Sequence, residues 1–222
     1  MNYNYGLSKD GTLSIIQKID IINSNKVDNE LLQYLKEKFN NLKIEILHDC
    51  DGNIMDLMND GLLEGWCWQT TQTAILFLDN NSYIKRGYLN QEKDKKYYHS
   101  WIELNHNNKN YVFDPCLNIL VDKKIYDELF EVDILSTIPS NKVKEFVLNY
   151  IKEHKNDKKK ESSISNYLKR MFPESYERIK DEIIINPTED ITSPIYRGSV
   201  GYKANIEDDK ILSLTAHYYL NA

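Results

Sequence analysis

Apolar residues recur along this chain with two different periods, and the switches between them set the expected elements. Leu31, Leu35, Phe39 and Leu42 follow a three-to-four spacing behind Asp28, a good cap, which predicts a helix to about Phe39. Leu13, Ile15 and Ile16 read as a short strand or packing segment, residues 43–47 alternate weakly as a strand, and residues 54–58 suit a short helix. Thr71, Ala74, Ile75 and Leu78 return to helical spacing, with Asn80-Asn81 as the stop. Residues 82–89 predict a strand, 91–96 a charged loop, and 97–104 and 109–114 a hairpin around the polar segment 105–108.

Pro139-Ser140 marks a boundary. Beyond it Val143, Phe146, Val147, Tyr150 and Ile151 predict a helix, and the lysine-rich run 155–161 a solvated hinge. Ile164, Tyr167, Leu168, Met171 and Phe172 predict a second helix. Pro173 breaks or restarts it, and Tyr176, Ile179 and Ile183 suggest a third. Residues 195–206 and 210–220 return to β-type sequence. The expected fold class is therefore α+β, with a core domain over 1–138. Residues 139–222 form a helical extension whose β-type end adds to the core sheet or forms a small cap.

Composition narrows the partners. Asp and Glu number 34 against 28 Lys and Arg, a net charge of −6, which disfavours nucleic acid and anionic membrane as partners. The start lacks the pattern of a secretory signal, no apolar run reaches membrane-helix length, and three cysteines suit a reducing compartment, so a cytoplasmic location is expected. His48, Asp49, Cys50 and Asp51 form a polar cluster without the paired spacing of metal ligands, and Asp51-Gly52 reads better as a turn. No glycine-rich phosphate loop occurs. No cofactor or metal is expected.

The candidate chemistry lies between Gly65 and Pro115. Cys67 opens the helical run, His99 sits in the first hairpin strand and Asp114 ends the second, which supplies a nucleophile, a base and an orienting carboxylate in chain order. A four-residue loop at 105–108 pairs Leu104 with Lys109 and, by the same count, places His99 directly opposite Asp114 on one face. A two-residue loop at His106-Asn107 gives the same register. At a helix N-terminus the unpaired N–H groups favour a negative sulfur and lower the thiol from its ordinary pKa of about 8.5. The same groups can hold an oxyanion, and Gly65 lets the backbone approach a substrate. Cys116 reads as a small buried hydrophobe.

These motifs carry a family resemblance. Gly65-Trp66-Cys67-Trp68, His99-Ser100-Trp101-Ile102-Glu103 and Asp114-Pro115 stand in the order and spacing of the transglutaminase-like superfamily of papain-type cysteine enzymes. Arg86-Gly87-Tyr88-Leu89 resembles the strand between the first two motifs, and the match covers about residues 57–118. The resemblance implies a helix N-terminus carrying the nucleophile, packed on an antiparallel sheet. It also implies Cys67 as nucleophile, His99 as base and acid, and Asp114 as orienter. The family's oxyanion partner is often a tryptophan or glutamine, for which Trp66, Trp68 and Gln69 are the nearby candidates; Trp101 stands between cleft wall and core. The implied activity is thioester-forming amide chemistry on a peptide or protein substrate, with hydrolysis favoured over amine transfer. The other readings are a non-catalytic binding module on the same fold, an arylamine acetyltransferase, from whose R-G-G-x-C motif Glu64-Gly65-Trp66-Cys67 departs, and a zinc site from Cys67, His99 and Asp114 or Cys116.

Overall fold

The computed structural model describes residues 15–24, 28–46, 50–63, 65–92, 95–154, 169–170, 173–179, 183–185 and 198–220. It is a mixed α and β chain that divides into two compact units, residues 1–38 with 55–143 and residues 39–54 with 144–222. The lysine-rich run at 155–161, the pattern at 164–168 and the pair His48-Asp49 lie outside the described residues.

The first unit holds the motif region. Helix α1 (Ile15–Ser24) stands where a short strand or packing segment is expected, and α2 (Asn29–Phe39) follows Asp28 as the spacing predicts. Asp28 Oδ1 accepts from the Glu30 N–H at 2.9 Å, a cap that contributes about 1 kcal/mol. Leu31, Leu35 and Phe39 are fully buried. Helix α3 (Ile54–Asn59) lies where residues 54–58 predict it and leads toward α4 (Cys67–Ile75). Next come β3 (Ser82–Glu92), β4 (Lys95–His106), β5 (Lys109–Asp114), β6 (Ile119–Asp122), α5 (Lys123–Phe130) and β7 (Asp133–Pro139). The strands form one antiparallel sheet in the order β6-β5-β4-β3-β7. Strands β3 and β4 run on into 91–96, where a charged loop is expected.

The two faces of this sheet serve different ends. Trp101 on β4, Val112 on β5 and Val121 on β6 pack with Ile22 of α1 and with Tyr126 and Phe130 of α5. On the opposite face Trp68 of α4 lies over the guanidinium of Arg86 at 4.4 Å, and that guanidinium also meets the ring of Tyr98 at 5.6 Å. Trp68 of α4 thus packs with Arg86 and Tyr98, while α1 and α5 cover the face bearing Trp101.

The β4–β5 hairpin departs from its expected register. Asn107 and Asn108 form the loop with φ of 50° and 60°, a left-handed pair that asparagine tolerates and that suits a two-residue hairpin turn. Leu104 consequently faces Tyr111, and Ile102 faces Phe113. The ladder is displaced by two residues from the expected pairing of Leu104 with Lys109. Because side chains alternate with period two, that displacement keeps every side chain on its expected face. Asp114 comes level with Trp101, so it meets His99 diagonally rather than directly across.

Strand β7 reaches β3 through an irregularity between Arg86 and Gly87. A β-carbon on Gly87 would lie 2.1 Å from the carbonyl oxygen of Asp133. Backbone cannot swing away from such a contact as a long side chain can. Gly87→Ala is therefore expected to lower stability by about 1–3 kcal/mol, read as an earlier urea midpoint. An unchanged midpoint would show that β7 shifts without cost.

The second unit is built on β1 (Leu42–Ile46), β2 (Cys50–Asn53), α6 (Ser140–His154), α7 (Pro173–Ile179), β8 (Ile183–Ile185), β9 (Gly198–Glu207) and β10 (Lys210–Leu220). Its sheet runs β2-β1-β10-β9-β8, with β1 parallel to β10 and the other pairs antiparallel. Two expectations are corrected here. The β-type tail does not rejoin the sheet that carries His99; it pairs with residues 42–46, so the units divide near 143 rather than 138 and the second takes in residues 39–54. Asp51-Gly52 is not a turn but part of β2, with Gly52 facing Ile44.

Candidate active site

Helix α4 begins at Cys67 without a capping side chain. Trp66 occupies the cap position and makes no side-chain hydrogen bond to the first turn, so the N–H groups there are not consumed by a cap. Gly65 precedes it at φ 79°, a left-handed conformation that glycine adopts without strain, with nothing within 4 Å of where a β-carbon would stand. Inside the helix the hydroxyls of Thr70 and Thr71 return to the carbonyls of Trp66 and Cys67, both at 2.8 Å, which lets these polar residues be buried. Cys67 is half-buried and free.

His99 and Asp114 are both fully buried, and His99 Nε2 lies 2.6 Å from Asp114 Oδ2. The hairpin delivers this contact from a diagonal pair, which long side chains can bridge. The ring is packed between Tyr97, stacked at 5.3 Å, and Trp101, stacked at 6.3 Å. Nδ1 is buried and makes no hydrogen bond of ordinary length. Cys67 forms no hydrogen bond to Nδ1 but lies near enough to favour the protonated ring. Unliganded sites often hold such contacts long. Burial disfavours the imidazolium, but the charge and hydrogen bond of Asp114, reinforced by Cys67, outweigh it and push the pKa up to about 10.

Asp114 is itself held at both oxygens. Oδ1 accepts from the backbone N–H groups of Cys116 and Leu117 at 3.1 and 3.0 Å, an Asx-type turn at the strand end. Oδ2, already met by His99, also accepts from the hydroxyl of Tyr126 at 3.1 Å. Tyr126 is fully buried, and burial together with the adjacent carboxylate drives its pKa well above the ordinary value, so its hydroxyl remains a donor. Sequence reasoning missed Tyr126. The only signals for its helix were the Asp122 cap, which accepts from Lys124 N–H at 2.9 Å, and the Ile125–Tyr126–Phe130 pattern.

Cys116 is buried beside this cluster. Burial, the Cys67 charge and Asp114 push its thiol well up, against the backbone N–H groups of Gly65 and Trp66, so it stays neutral. It sits among the site residues as a packed thiol. The remaining sequence candidates divide. Trp66 keeps appreciable surface beside Cys67. Trp68, Gln69 and Trp101 are buried, Trp68 against Arg86 and Trp101 between His99 and Tyr126. Glu103 lies on the site's face but is bound to Lys85 and Lys123 at 3.5 and 3.4 Å.

Among the described residues no group of three His, Cys, Asp or Glu side chains is placed to hold a metal ion, and no helix is long and apolar enough to cross a membrane. Compared with known proteins, the chain matches no family model, no curated protein and no solved structure.

Proposed function

We propose that this protein is a transglutaminase-like cysteine enzyme that opens amide bonds of a peptide or protein substrate through a thioester on Cys67. One observation carries the reading. A single buried imidazole is bound through Nε2 to a carboxylate and is acted on by a cysteine that opens an uncapped helix. That is the arrangement a nucleophilic sulfur, its proton carrier and an orienting acid require.

In this reading the Cys67 sulfur, as thiolate, attacks the amide carbonyl carbon. The oxyanion is met by the N–H groups at the start of α4. His99, charged and hydrogen-bonded to Asp114, passes its Nδ1 proton to the leaving nitrogen as the C–N bond breaks. The released amine departs and the acyl group stays on sulfur. His99, now neutral, takes a proton from water as the oxygen attacks the thioester. The carboxylic acid leaves and the thiolate–imidazolium pair returns. Replacing that water by a primary amine gives acyl transfer with the same residues.

The test is mass spectrometry after incubation with a peptide library, with and without a primary amine. The expected result is an acyl adduct on Cys67 that hydroxylamine removes, with products one water heavier in sum than their parents. Amine-bearing products would assign transfer instead of hydrolysis. Absence of both the adduct and altered peptides would overturn the enzymatic reading and leave the fold as a binding module.

A further inference from the structure

The carboxylate that orients His99 is shared. Tyr126 Oη and His99 Nε2 both meet Asp114 Oδ2, at 3.1 and 2.6 Å. The other oxygen is already fixed by the N–H groups of Cys116 and Leu117. A planar carboxylate held at Oδ1 by two backbone donors does not need a third donor to keep its direction. The hydroxyl must therefore do something other than aim the group. A hydrogen bond to a charged oxygen draws electron density from it. The oxygen that the imidazole sees is correspondingly less negative.

We propose that Tyr126 is a positioning residue that acts through Asp114, its hydroxyl setting how much of the carboxylate's charge reaches His99. The inference deepens the function proposed above and rests on the same site. An imidazole held too tightly in its charged form is a poor proton donor to a leaving amine, so a device that tempers its counter-ion bears on turnover.

The groups facing this pair come from several elements. Cys67 comes from the start of α4 and Cys116 from the turn after β5. Tyr97 and Trp101 stack on the ring from its own strand, and Gly87 of β3, its ladder partner, brings no charge. From α5 come Tyr126 and, acting on it through charge, Asp127. Among these Tyr126 is the neutral donor to Oδ2.

The experiment is Tyr126→Phe, which keeps the ring in its contacts with Trp101 and Phe130 at 5.8 and 4.7 Å. His99 is followed by NMR titration of the full chain. Its midpoint is expected to rise by about 0.5–1 pH unit, a three- to tenfold change in the protonation equilibrium. Site-specific 3-fluorotyrosine at position 126, a stronger donor, is expected to move the midpoint down and covers the case in which the Phe variant folds poorly. A merely structural hydroxyl would change stability and leave both midpoints where they are. Unmoved midpoints, or shifts of the opposite sign, overturn the proposal. No substrate enters this measurement. Wild-type protein without amide turnover would sink the enzymatic reading while His99 still reported on Tyr126.

Discussion

Cys67→Ala is expected to lower amide turnover by on the order of 10⁴-fold or more while leaving the protein folded, with stability within about 1 kcal/mol of wild type. The asymmetry follows from where the sulfur sits. Cys67 is half-buried at the first position of α4, and the helix is anchored one residue later by Trp68 on Arg86. Removing the sulfur takes little packing away. It removes the atom on which the proposed thioester is built, and the residue's effect on the imidazole goes with it. What remains is the set of N–H groups at the helix start, which can polarise a carbonyl but cannot carry an acyl group. A second readout accompanies the first. Cys67 is one of the groups holding His99 in its charged form, so the His99 midpoint is expected to fall from about 10 in the alanine variant. Turnover that survives the substitution would remove Cys67 from the chemistry. A His99 midpoint that does not move would place the sulfur out of reach of the ring.

The order Cys67, His99, Asp114 was legible because each lies in a local pattern: a glycine before a helix start, an alternating strand, and an aspartate ending the next strand. The shared face of His99 and Asp114 was legible for a stronger reason, since parity survives any error of two residues in the register. The register itself was not. Nothing in 105–108 says where the turn centres until the left-handed backbone of Asn107 and Asn108 is seen, although two adjacent asparagines are a fair hint. Tyr126 was hidden because a tyrosine in an amphipathic helix looks like any core aromatic; only the fold brings its hydroxyl to Asp114. The pairing of β10 with β1 was hidden too. It joins residues far apart in the chain by a parallel register, which no local pattern encodes.

Asp114→Ala is expected to cost about 3–5 kcal/mol, the penalty for leaving one member of a buried charged pair without its partner. The loss has a pH signature whose direction is fixed by His99. Its folded pKa, about 10, lies above the ordinary value of 6.5. A group whose pKa is raised by folding adds stability that is complete below the ordinary value and fades as the pH climbs through the folded one. The wild type therefore draws on the pair fully near pH 6 and loses that contribution toward pH 10. Without the carboxylate, burial is opposed only by Cys67, whose pull is smaller than that of Asp114, so the variant gains little from protonation. The gap between wild type and variant in urea unfolding should be widest near pH 6 and narrow toward pH 10. It should not close, because the N–H groups of Cys116 and Leu117 and the Tyr126 hydroxyl lose their acceptor at every pH. Asp114→Asn retains an oxygen for the two backbone donors, so its loss should be smaller at pH 10 yet show the same narrowing. A gap that stays constant from pH 6 to 10 would mean that Asp114 supports the strand end but is not the counter-ion of His99, and the proton path through the imidazole would lose its anchor.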